Sequence, residues 1–125
     1  MKIKYQKILK KNLLNVLKQI LKKIEKNGIS EGHQLFITFK TNHTNVALPK
    51  WLIKKYPKEM TIVIQYEYYK LIVRDENFLI NLSFDDIRAE LEICYDSVIS
   101  FADPYANFGL KFTNTEINKR NKHVI

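Results

Sequence analysis

Between Ile3 and Asn27 the apolar residues Tyr5, Ile8, Leu9, Leu13, Val16, Leu17, Ile20, Leu21 and Ile24 recur at intervals of three and four, the period of an amphipathic helix. Gly28 follows where a left-handed C-cap belongs, so the spacing predicts a helix over 3–27. At about 100° per residue its apolar arc, with Leu14 included, covers roughly half the circumference, wider than the roughly 100° stripe that packing on one surface requires. A helix with that much apolar surface has room for two partners: its own domain and a second copy of the chain. Leu9, Leu13, Val16, Leu17 and Ile20 are the candidate dimer contacts.

After the helix the period changes to two. Residues 33–40 alternate as Leu35, Ile37 and Phe39 against Phe36 and Thr38, a first strand. A polar loop over 41–45 and a short extended piece, Val46 to Leu48, lead to Pro49, which suits the first turn of a small helix carrying Trp51, Leu52 and Tyr56. The clearest alternation spans Glu59 to Glu67: Met60, Ile62, Ile64 and Tyr66 face one way, and Thr61, Val63, Gln65 and Glu67 the other. Lys70–Arg74 reads as the next strand, and Asp75-Glu76-Asn77 as a tight connection into Phe78–Phe84. Along this strand Phe78, Ile80, Leu82 and Phe84 share a face, with Leu79, Asn81 and Ser83 opposite. Asp85-Asp86 marks a turn, Ala89–Cys94 alternates again, and Asp96 is placed to cap a helical turn around Val98. Ile99–Phe101 and Ala106–Phe112 are the last strands, the latter with Phe108, Leu110 and Phe112 inward. One long helix before six or seven short strands predicts an α+β domain, a small antiparallel barrel or sandwich capped by the helix. The domain is expected over 1–113, with its β part over 33–113, and 114–125 reads as a flexible basic tail.

The chain has 125 residues, 46% of them hydrophobic, enough for one domain with a core. No apolar run is long enough to cross a bilayer, and no apolar block precedes a small-residue cleavage site. The expected location is cytoplasmic, and the lone Cys94, which cannot form an internal disulfide, agrees. The net charge of +8 is localised: residues 1–26 hold nine Lys and one acid, Glu25, and the remainder is balanced, twelve against twelve. A basic helix on a neutral body could meet RNA phosphates. No Arg or aromatic residue is interleaved with the lysines to stack on bases, so a solubilising face is the preferred reading, and an RNA-binding barrel using this helix is the alternative.

Catalytic constellations are not legible. His33, His43 and His123 have no metal-ligand spacing with Cys94 or with paired acids, three glycines build no phosphate loop, and Asp85-Asp86 reads as a solvated turn. Cys94 reads as a structural thiol because no His is near it in sequence. No enzyme activity, metal or cofactor is expected, and the residues by themselves end at a helix-plus-β binding module.

The string Tyr56-Pro57-Lys58-Glu59-Met60-Thr61-Ile62-Val63-Ile64-Gln65 is similar to the central segment of the stringent starvation protein B (SspB) family in its alphaproteobacterial form. Leu82-Ser83-Phe84, Phe101-Ala102-Asp103-Pro104 and Phe108-Gly109-Leu110-Lys111-Phe112 follow in the family's order, so the resemblance covers about residues 5–112. It implies a non-enzymatic, homodimeric adaptor of the ClpXP protease with an Sm-like barrel. Such an adaptor binds the ssrA degradation tag in a groove and delivers tagged polypeptides to the ClpX unfoldase. By position, the groove residues implied are Val63, Gln65 and Glu67 from one strand and Leu79, Asn81 and Ser83 from another, with Asp85 and Asp86 beside them.

Two features depart from the family. Phe84-Asp85-Asp86-Ile87-Arg88 stands where members carry Phe-Gly-Gly-(Ile or Val)-Pro, which adds negative charge beside the groove. Members also end, after a long linker, in a basic and aliphatic module that docks on ClpX. About a dozen residues follow Phe112 here, and Lys122, His123, Val124 and Ile125 are its expected counterpart.

Overall fold

The computed structural model describes residues 1–65 and 68–112. Helix α1 runs Tyr5–Asn27 and ends as its sequence dictates: Gly28 adopts φ 76°, and its N–H donates to the Ile24 carbonyl at 2.7 Å. Strand β1 is Leu35–Lys40, α2 Lys50–Lys55, β2 Glu59–Ile64, β3 Lys70–Val73, β4 Asn77–Phe84, β5 Ile87–Cys94, β6 Val98–Asp103 and β7 Phe108–Lys111. The helical turn near Asp96 is a 3-10 turn over Tyr95–Ser97, and Val98 already belongs to β6. The Ser97 hydroxyl donates to the Cys94 carbonyl at 2.7 Å within that turn, and Val98 is already extended.

The strands form two antiparallel sheets, one in the order β2-β1-β6-β7 and one in the order β3-β4-β5. One apolar cluster joins both with the helix: Ile37, Phe39, Ile62, Ile64 and Phe101 from the first sheet, Phe78, Ile80, Leu91 and Ile93 from the second, and Leu17, Leu21 and Ile24 from α1. The core therefore lies between the sheets, and the arrangement is a helix-capped sandwich. The expected closed Sm-like barrel is not formed among the described residues, because the ladders stop at separate sheets. Outside these ladders, Ala47, in the loop before α2, pairs with Glu92 at the edge of the second sheet, their backbones exchanging two 2.9 Å hydrogen bonds.

Helix α1 lies along the open edge of β3. The Val73 N–H donates to the Glu25 carboxylate at 2.8 Å and the Tyr68 hydroxyl to the Ile24 carbonyl at 3.3 Å, so an edge that would otherwise invite another strand is covered. Phe108, expected inward, is 40% exposed. It sits at the end of an edge strand, beyond the core, with its ring 6.0 Å from that of Phe101. Among the described residues no helix is long and apolar enough to cross a membrane.

Candidate peptide-binding surface

The strand registers place the outward side chains in rows. On the first sheet Val63 lies opposite Phe36, which lies opposite Ala102. One pair beyond the end of that ladder, the Gln34 amide donates to Gln65 Oε1 at 3.0 Å, and the hydroxyls of Thr38 and Thr61 meet at 2.8 Å. On the second sheet Leu79 stands between Ile72 and Glu92, Asn81 between Lys70 and Glu90, and Ser83 opposite Arg88. Since the core is between the sheets, the two outward faces leave it on opposite sides. The sequence-level groove, walled by both sets, is divided by this geometry: Val63 and Gln65 belong to one face, and Leu79, Asn81 and Ser83 to the other. Glu67 lies outside the described residues.

The second face has a built-up end at the β4–β5 hairpin. Phe84 pairs with Ile87, and between them Asp85 and Asp86 take φ 52° and 65°, the left-handed pair that a two-residue type I′ turn requires. Two glycines would adopt this shape without steric cost, and Asp is among the few side chains that tolerate it. The departure from Gly-Gly thus keeps the hairpin and adds two exposed carboxylates. Asp85 accepts a hydrogen bond from Lys55 of α2 at 2.9 Å. That bond, then the charge of Asp85 and of Tyr56, raises the Lys55 pKa. Trp51, one turn earlier on α2, stands edge-on to Phe84 at 6.5 Å.

Tyr69 closes the other side. Its backbone N–H donates to the Asn81 carbonyl at 3.1 Å, its hydroxyl is 3.0 Å from Ser83 Oγ, and the Arg88 guanidinium lies 3.6 Å above its ring. The residue is still 53% exposed. Midway along β4 the Asn81 Oδ1 is buried and makes no hydrogen bond, like Asn77 Oδ1 at the start of the strand. Amide, hydroxyl, aromatic ring and both signs of charge along one strand suit an extended peptide, whose backbone needs donors and acceptors and whose alternate side chains need small recesses. Tyr69 and Arg88 escaped the sequence reading. Arg88 was recoverable, since a two-residue turn at 85–86 makes 83 and 88 cross-strand neighbours.

The helix residues also divide. Leu17 is fully buried in the protomer's own core and is not available to a second copy. Leu13 and Ile20 are half-buried, whereas Leu9 and Val16, with Tyr5 and Ile8, form an exposed apolar stripe. At 100° per residue, positions 5, 8, 9 and 16 share one side of the helix, roughly 130° from the side holding 17, 21 and 24. Lys122, His123, Val124 and Ile125 lie outside the described residues.

A family model described as Stringent starvation protein B matches residues 7–124. No curated protein matches the chain.

Proposed function

The chain belongs to the stringent starvation protein B family, and on that premise we propose that it is a ClpXP adaptor that binds ssrA-type tag peptides and delivers tagged polypeptides to ClpX. The observation that carries the reading is the extent of the match, which takes in the helix, both sheets and most of the tail. Membership supports a protease-adaptor role, and the second outward face is a surface on which such a role could act.

In this reading the tag lies extended along β4, against Leu79, Asn81 and Ser83, with one end at the Asp85-Asp86 turn and Tyr69 and Trp51 on its flanks. Gln65, which accepts a hydrogen bond from Gln34, and Val63 stand on the face away from it. Two exposed carboxylates favour a tag that is neutral or basic where it passes the turn. The exposed stripe of Tyr5, Ile8, Leu9 and Val16, flanked by Leu13 and Ile20, is the surface for a second copy. Residues Lys122 to Ile125 are the proposed contact with the unfoldase. Tethering raises the local concentration of tagged substrate, so modest affinity at each site suffices.

Titration of a fluorescent ssrA-type peptide and of a labelled RNA at two salt concentrations tests the proposal. Saturable peptide binding that changes little with salt is expected. RNA binding that falls steeply with salt, with no peptide binding, would replace it with the nucleic-acid reading. Removing Asn118 to Ile125 is expected to abolish delivery to ClpXP and leave peptide affinity unchanged.

A further inference from the structure

The outward face of the second sheet is crossed by rows of side chains that the strand register fixes. Ser83 lies opposite Arg88, and two residues along, Lys70, Asn81 and Glu90 form the next row. On the other side of the Ser83–Arg88 row come Asp85 and Asp86 at the turn. The charges in these rows are not equally committed. Arg74 meets Glu92 at 3.4 Å and Lys55 meets Asp85 at 2.9 Å, so both of those cations are paired. Arg88 is exposed, and none of the ion pairs formed among the described residues includes it.

Arg88 is nevertheless held in place. Its Cζ lies 3.6 Å from the centre of the Tyr69 ring, close enough for the guanidinium to rest on the ring. Tyr69 is fixed at both ends: its hydroxyl is 3.0 Å from Ser83 Oγ, and its backbone N–H donates to the Asn81 carbonyl at 3.1 Å. Stacking occupies a face of the guanidinium and uses none of its N–H groups, so the donors along its edge suit a planar acceptor. A carboxylate takes two such donors at once. The rotamer freedom that an exposed ion pair ordinarily loses on forming is already restricted by the stack.

The surrounding charges confine this property to one row. Lys70 and Glu90 flank Asn81 with opposite signs, and they offset one another for a carboxylate seated there. At the turn Lys55 neutralises Asp85, and Asp86 is left to repel an acid. An extended peptide repeats its same-side side chains about every 6.8 Å, which is also the spacing of the rows, so one position of the peptide falls at Arg88.

We propose that Arg88, stacked on Tyr69, selects a tag that carries a side-chain carboxylate at the position crossing the Ser83–Arg88 row. This rests on the reading of the β4 face as the tag-binding surface and adds what that surface prefers. The carboxylate accepts two hydrogen bonds from the edge of the guanidinium. The neighbouring same-side positions, over Asn81 and at the turn, gain nothing from an acid. Arg88 sets the specificity, and Tyr69 is a positioning residue that acts through it.

The test is fluorescence anisotropy on the full chain with two series of a labelled ssrA-type peptide, in which each position in turn is Glu or Gln. One position is expected to favour Glu over Gln about fivefold, with ratios of about one or less elsewhere and an advantage that shrinks as salt rises. Arg88→Gln is expected to bring that ratio to about one and to leave the affinity for the Gln peptide within about twofold of the native value. Arg88→Lys, which keeps the charge without the planar fork, is expected to retain less than half of the advantage, and it serves if Arg88→Gln does not fold. Equal affinities for Glu and Gln at every position, or a Glu advantage that both variants leave intact, would overturn the proposal while the tag reading stands. So would an acid preference that belongs to the peptide's C-terminal carboxylate and is lost on amidation. Failure of every peptide to bind would remove the tag reading itself and the proposal with it.

Discussion

The two outward faces of the sandwich have the same alternation in sequence and differ in how completely their polar groups are satisfied. On the β2-β1-β6-β7 face the polar side chains satisfy one another: Thr38 with Thr61, Gln34 with Gln65, and at its margin His33 with Asp103 at 2.8 Å. On the β3-β4-β5 face Tyr69 meets Ser83, Arg74 meets Glu92 and Asp85 meets Lys55, but Asn81 Oδ1 makes no hydrogen bond and Tyr69 is half exposed beneath Arg88. Period-two alternation decides which side of a strand a residue faces. Whether that side is already sealed depends on cross-strand neighbours that alternation does not reveal.

If the faces differ in this way, substitutions on the second should alter binding and those on the first should alter stability. Tyr69→Ala, which removes the ring under Arg88 and the hydroxyl at Ser83, is expected to weaken tag-peptide binding by about 2 kcal/mol, read by fluorescence anisotropy. Asn81→Ala should cost about 1 kcal/mol of binding with little change in the denaturation midpoint. A loss of fold with unchanged affinity would reverse the assignment. On the first face, Asp103 supplies the pH dependence. Burial pushes its pKa up, but hydrogen bonds from His33 and from the Ala106 and Tyr105 backbones, with the His33 charge, leave it below the ordinary carboxylate value. A depressed folded pKa contributes stability that is present above the unfolded value, about 3.9, and is lost as pH falls through the lower folded value. The native chain should therefore exceed Asp103→Asn in thermal stability near neutrality, with the gap closing as pH drops below about 4. The smallest effects come last. Gln65→Ala should change tag affinity by less than about 0.5 kcal/mol, because its amide already serves Gln34. Asp86→Gly should raise stability by about 0.5 kcal/mol by relieving the positive φ.

Local order was well written into the sequence. The helix over 3–27 is observed at Tyr5–Asn27, the strand spanning Asn77–Phe84 starts within one residue of its expected place, and Asp85-Asp86 is a turn. Each follows from periodicity and capping, which act between near neighbours. Ile87 and Arg88 join β5 earlier than expected because a two-residue turn returns the chain to pairing at once. What could not be read depends on long-range assembly. The assignment of β2 and β4 to different sheets separated Gln65 from Asn81, and burial against the sheets gave Leu17 to the core and left Leu9 outside. Cys94 and His43, which pack together, are 51 positions apart, and no local rule joins them. The family resemblance supplied a role for the strands, and only the folded arrangement distinguishes one face from the other.

The central claim is that the tag lies along β4. The direct measurement is an amide chemical-shift titration of the isotope-labelled chain with an unlabelled ssrA-type peptide. Perturbations are expected at Tyr69, at Leu79 to Ser83 and across Asp85 to Arg88, with Thr38, Ser100 and Lys111 unmoved. Shifts concentrated on Phe36, Thr38, Val63 and Ala102, or saturation without any change along β4, would contradict it.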